Sequence, residues 1–149
     1  MLVQFRTEAE MLTATAQIDP LQMLNTFCRV QVLIADDNAT QRELVAAQLE
    51  KTGRFDLVVQ AGDGNEALGL AELMQPDVVL LDLSMPCLGG LEALPLVLTF
   101  APHARVIVMS GAPAEEMAAA VLAAGAVSYV EKGPAMDLPG VIDAVLAGC

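Results

Sequence analysis

At 149 residues the chain is most simply one domain, large enough to bury a single core without disulfide or metal staples. Its 7 basic against 19 acidic side chains give a formal charge of −12, which repels phosphate backbones and anionic lipid, and one Tyr, four Phe and no Trp leave little to stack on bases. Nucleic-acid binding and charge-driven membrane association are therefore excluded as expectations; a partner with a basic face or a bound cation would suit the acidity.

Residues 1–29 do not share the rhythm of the rest. Within them "PLQMLNTFC", Pro20 to Cys28, sets Leu21, Leu24 and Cys28 at helical spacing. A short helix laid on the domain and a loosely packed extension are both open readings, the second because Met23 would itself make a natural start for the first strand. The segment lacks a basic n-region, and Glu8 and Glu10 interrupt any signal-like core. The cysteines, Cys28, Cys87 and Cys149, are odd in number and widely spaced, giving neither a disulfide framework nor metal-ligand spacing; reduced cytoplasm is the expected location. The longest apolar run, Met117 to Val130, contains Gly125 and Ser128 and is too short to span a bilayer.

From Val30 onward short apolar runs alternate with helix-period segments, the pattern of βαβ units around a parallel sheet. The runs are Val30–Ala35, Asp56–Ala61, Asp77–Leu81, Arg105–Met109 and Val127–Val130. Asn38 followed by Gln41, and Asp63 followed by Glu66, look like capping boxes and start two helices, ending near Gly53 and before Pro76. A third helix, about Leu91 to Phe100, tolerates Pro95 only in its first turn. A fourth opens after Pro113 and closes at Gly125, and a fifth runs from about Pro139 to Ala147 with Asp137 as its cap.

Ligands of open parallel sheets bind beyond the carboxyl ends of the strands, so the strand-end residues share one rim. That rim carries Asp36 and Asp37, Asp82, Ser110 and Lys132, after the first, third, fourth and fifth strands. Three carboxylates there repel one another by about 1 kcal/mol per pair at 4 Å in water, and by more when desolvated. A hard divalent cation, Mg²⁺ or Mn²⁺, offsets them naturally, and Lys132 supplies further positive charge. Asp82 then reads as an oxygen nucleophile toward phosphorus, forming an acyl phosphate to which the Ser110 hydroxyl donates a hydrogen bond. Taken singly, these are helix caps, a turn serine and a solvated lysine; four strand ends delivering them in this order is what points to chemistry.

The motifs "VLIADDN", "VVLLDLSMP", "VIVMSG" and "GAVSYVEKG" resemble those of the receiver domains of two-component response regulators, over about Arg29 to Ala147. The resemblance implies a flavodoxin-like (βα)5 fold, a doubly wound parallel sheet with strand order 2-1-3-4-5, over residues 30–149. It implies that Asp82 is the phosphoacceptor, that Asp36, Asp37, Asp82 and the Ser84 carbonyl hold Mg²⁺, with Asp37 the more direct ligand, and that Ser110, Lys132 and Tyr129 stabilise the phosphoryl group and carry the switch. It further implies a signalling switch rather than an enzyme, a histidine kinase or histidine phosphotransfer protein as partner, and a surface of fourth helix, fifth strand and fifth helix that changes on phosphorylation. A homodimer is left open. One departure stands out. Gly133 follows Lys132 where the family usually has proline, often cis; a cis Lys132–Gly133 bond would cost about 2.5–4 kcal/mol, so trans is expected.

Three other readings compete, one of them a receiver-like binding module that never takes phosphate, against which Asp82, Asp37 and Lys132 are all present. "GDGNEA", Gly62 to Ala67, fits a dinucleotide-binding G-x-G-x-x-A, although Asp63 would face the pyrophosphate. An aspartyl-phosphate phosphohydrolase would need a general acid two residues after Asp82, where Ser84 stands.

Overall fold

The computed structural model describes residues 30–147. The reading of residues 1–29 as an extension, helical or loose, lies outside the described residues.

Five strands and five helices alternate: β1 (Val30–Ala35), α1 (Ala39–Glu50), β2 (Phe55–Ala61), α2 (Gly64–Met74), β3 (Val78–Asp82), α3 (Gly90–Phe100), β4 (Arg105–Ser110), α4 (Ala114–Ala123), β5 (Ser128–Glu131) and α5 (Leu138–Ala147). All strand pairs are parallel and the order is β2-β1-β3-β4-β5, the doubly wound flavodoxin-like arrangement expected from the sequence. Every residue of β3 is buried, as are the last four of β1 and the last five of β4, because helices cover both faces of these central strands. The edge strands β2 and β5 are only partly covered. One core cluster joins Leu33, Val79, Leu81 and Val108 to α2, α3 and Val121 of α4; the other joins Ile34, Leu80, Ile107 and Met109 to α1 and α5.

The caps fall where sequence chemistry puts them. Asn38 accepts from the Gln41 N–H at 3.0 Å, Asp63 from Glu66 at 2.8 Å and Asp137 from Gly140 at 3.1 Å. The third helix departs from expectation. It starts at Gly90, so Pro95 is its sixth residue and lies beyond the first turn. Pro95 and Leu91 both face solvent, so water can reach the Leu91 carbonyl that loses its helical donor, while the Thr99 hydroxyl donates to the Pro95 carbonyl at 2.9 Å. Buried Ala93, Leu94 and Val97 on the opposite side hold the helix against the sheet. Burial there outweighs the local penalty.

Candidate functional site

The carboxyl ends of β1, β3 and β5 converge as their sequence positions suggest. Asp36 follows β1 directly, and its backbone N–H donates to the Ala61 carbonyl of β2 at 3.1 Å, which turns the chain across the rim. Its side chain is 1% exposed; Oδ1 accepts from the Asn38 N–H at 3.0 Å. Asp82 ends the fully buried β3, and its Oδ1 accepts the Ser84 N–H at 3.3 Å. The Lys132 ammonium reaches both acids, 2.9 Å from Asp36 Oδ2 and 3.2 Å from Asp82 Oδ1. Asp37 is exposed, yet one oxygen each from Asp36, Asp37 and Asp82 lie within 4.8 Å of one another.

The charge balance of this cluster is unfavourable to Asp82. Burial, and then the neighbouring Asp36 carboxylate, push its pKa above the ordinary aspartate value of 3.8, against the opposing pull of Lys132 and the Ser84 N–H. Burial also works against the Lys132 ammonium. Its hydrogen bond to Asp36 and the charges of Asp82 and Asp36 outweigh that and hold its pKa above the usual lysine value. Two acids and one exposed neighbour share a single ammonium, which is the setting a divalent cation neutralises. A hard cation with oxygen ligands fits the donor set.

Ser110 ends β4 beside Asp82: Met109 is the register partner of Asp82, and its carbonyl accepts the Leu83 N–H at 3.2 Å. Ser110 is buried, and its Oγ accepts the Ala112 N–H at 3.1 Å. Tyr129 is half-buried against the core, and its hydroxyl donates to the Ala112 carbonyl at 2.6 Å rather than resting in water. Ser84 is exposed next to Asp82. No peptide bond among the described residues is cis, so Lys132–Gly133 is trans as expected, and Lys132 still reaches the acids.

Two residues at this rim were not singled out from the sequence. Arg42 donates from Nη1 to the Asp36 carbonyl at 2.7 Å and from Nε to Gln60 Oε1 at 3.3 Å. Its signal was available: four residues after the Asn38 cap, one helical turn brings it back to the rim. Glu131 accepts the Ala114 N–H at 2.6 Å, a contact across 17 residues for which no local pattern exists.

Glycines place the loop after β3. A Cβ on Gly90 would lie 2.2 Å from the Asp82 carbonyl oxygen, so only glycine lets α3 start this close to the acid. A Cβ on Gly64 would lie 2.6 Å from the Leu88 carbonyl oxygen. The "GDGNEA" glycine therefore serves packing between α2 and this loop, and the Asp63 carboxylate already holds a helix N–H that a pyrophosphate would need. Among the described residues no helix is long and apolar enough to cross a membrane, and Cys87 is a free, exposed thiol.

Comparison with known proteins gives consistent results. Residues 32–139 match the family model described as the response regulator receiver domain. The response regulator GacA of Pseudomonas aeruginosa is 33% identical over 108 residues, covering 72% of this chain and 50% of that protein. A protein-glutamate methylesterase/protein-glutamine glutaminase of Myxococcus xanthus is 34% identical over 106 residues, covering 69% of this chain and 30% of its own length. The chain thus spans half or less of these two relatives. Among solved structures, a LuxR-family two-component response regulator from Aurantimonas aligns with a TM-score of 0.75 at 30% identity, over 80% of this chain and 86% of that one.

Proposed function

The chain belongs to the response regulator receiver domain family, and we propose that Asp82 is the residue on which it accepts a phosphoryl group. The observation that carries this reading is the Lys132 ammonium held between Asp36 and Asp82, with an Asp37 oxygen in the same cluster. A phosphohistidine of a kinase or phosphotransfer protein is the donor. An Asp82 carboxylate oxygen attacks phosphorus, the P–N bond breaks with its electron pair going to the imidazole, and an aspartyl phosphate remains. Lys132 lies where it can meet the incoming negative charge, and its ammonium opposes the rise in the Asp82 pKa that burial and Asp36 cause, favouring the nucleophilic carboxylate. Ser110, at the end of the neighbouring strand, has its hydroxyl proton to donate to a phosphoryl oxygen, since its bond from Ala112 uses only a lone pair.

Asp36, Asp37, Asp82 and the Ser84 carbonyl are the groups that would hold Mg²⁺, or Mn²⁺, and the ion would supply the charge that offsets carboxylates and phosphoryl oxygens together. Tyr129 ties the loop after β4 to β5, which supports α4 and β5, with the neighbouring α5, as the surface that responds to the modification. On this reading the protein is a cytoplasmic signalling switch with slow self-catalysed loss of phosphate, residues 30–149 forming the receiver and 1–29 an extension. A phosphohydrolase is disfavoured, because Ser84 offers no acid two residues beyond Asp82.

Intact mass after incubation with Mg²⁺ and acetyl phosphate, and separately with a phosphorylated histidine phosphotransfer protein, tests the proposal. Wild type should gain one phosphoryl group and Asp82→Asn none. No gain in wild type from either donor, or an equal gain in the variant, overturns it.

A further inference from the structure

The contact between Glu131 and Ala114 is not used by the chemistry above, and it is oddly built. Ala114 is the first residue of α4, and its N–H is one of the donors a helix leaves without an internal partner. The residue before it, Pro113, brings no side-chain acceptor, so α4 has no cap of its own. The acceptor comes instead from β5: Glu131 Oε1, 2.6 Å away. Tyr129, two residues earlier and so on the same face of the strand, donates to the Ala112 carbonyl at 2.6 Å. Glu131 is also the register partner of Ser110, and the Lys132 N–H donates to the Ser110 carbonyl at 2.8 Å. β5 and the Lys132 that follows it therefore hold residues 110, 112 and 114 in turn. Elsewhere along α4 Val121 is the one fully buried residue.

We infer that Glu131 is a positioning residue for the phosphoryl site: by holding the start of α4 it fixes the 110–114 segment, and with it the Ser110 hydroxyl, before any phosphoryl group arrives. The inference rests on Asp82 being the phosphoacceptor. A segment already ordered loses less conformational freedom when Ser110 engages a phosphoryl oxygen, so the group binds more tightly. Glu115 and Glu116 in the first turn of α4 favour its positive end in either case, so losing Glu131 frees the segment without removing every charge that supports the helix.

The test is a titration with fluoroberyllate, a mimic of the phosphoryl group, in saturating Mg²⁺, followed by amide NMR, alongside thermal unfolding. Glu131→Ala should bind fluoroberyllate about fivefold more weakly than wild type, and Glu131→Gln, which keeps an acceptor oxygen, should stay within about twofold. Mg²⁺ affinity without fluoroberyllate should be the same in all three, because Glu131 lies outside the acid cluster. A lower unfolding temperature for Glu131→Ala with unchanged fluoroberyllate affinity would reduce Glu131 to a helix cap and overturn the inference. Tighter binding would also overturn it, by showing that the grip opposes the phosphoryl-bound state. If wild type does not bind fluoroberyllate at all, this inference and the phosphoacceptor reading fall together.

Discussion

Replacing Asp82 with asparagine should stabilise the domain when no divalent cation is present, although it removes the residue on which the proposed function turns. At an effective dielectric of about 20, a like charge within 4.8 Å costs Asp82 at least about 3.5 kcal/mol, and the ammonium at 3.2 Å returns about 5 kcal/mol. Asp36 supplies that repulsion in full; Asp37, exposed and screened, adds less. The charge contributions therefore cancel to within about 2 kcal/mol, and desolvation of a carboxylate that is only 3% exposed decides the sign. Asparagine keeps the shape and the oxygen that accepts the Ser84 N–H. A gain of about 1–3 kcal/mol is expected, raising the unfolding temperature by about 4–10 °C in EDTA near neutral pH.

The pH dependence follows from the raised pKa of Asp82. A carboxyl whose folded pKa lies above its unfolded value favours the fold while protonated, and that advantage is lost as pH rises through the folded value. The gap between variant and wild type should therefore be small near pH 3.8, the ordinary aspartate value, and widen above it. Mg²⁺ should close the gap by stabilising wild type more than the variant. Thermal unfolding by far-UV circular dichroism measures all three. An asparagine variant that is equally or less stable in EDTA at neutral pH would refute the charge argument.

Other outcomes follow from the same contacts. Gly90→Ala should cost about 2 kcal/mol or more in urea unfolding, since its Cβ would sit 2.2 Å from the Asp82 carbonyl oxygen; a loss below about 0.5 kcal/mol would mean the α3 start can shift freely. Lys132→Met should lower the rate of phosphorylation by acetyl phosphate at least about tenfold while tightening Mg²⁺ several-fold, because the ammonium both meets the phosphoryl group and competes for Asp36 and Asp82. Weaker Mg²⁺ binding in a calorimetric titration would contradict that competition. Asn38→Ala should lose about 1 kcal/mol by removing the cap on the Gln41 N–H, read as a lower midpoint in urea, and no change would show that α1 is held by packing alone.

Much of this was legible in the sequence because its signals are local. Runs such as Val78–Leu81 read as central strands because both faces are buried, and Asn38, Asp63 and Asp137 cap helices within three residues of themselves. The convergence of Asp36, Asp82 and Lys132 was legible because a parallel sheet brings every strand's carboxyl end to one rim. What escaped depends on distant or opposing contacts. Backbone chemistry alone confines Pro95 to the first turn, but the burial of Leu94 and Val97 and the solvent around Leu91 decide that helix. Glu131 looks like an exposed strand-end acid until β5 is seen beside the start of α4.

The most direct test of the account locates the acyl phosphate itself. The phosphorylated chain would be reduced with borohydride, which converts an aspartyl phosphate to homoserine, and mapped by peptide mass spectrometry. Conversion at position 82 alone is the result predicted here. Conversion at Asp36 or Asp37 instead, or none in a chain that has gained phosphate, would contradict it.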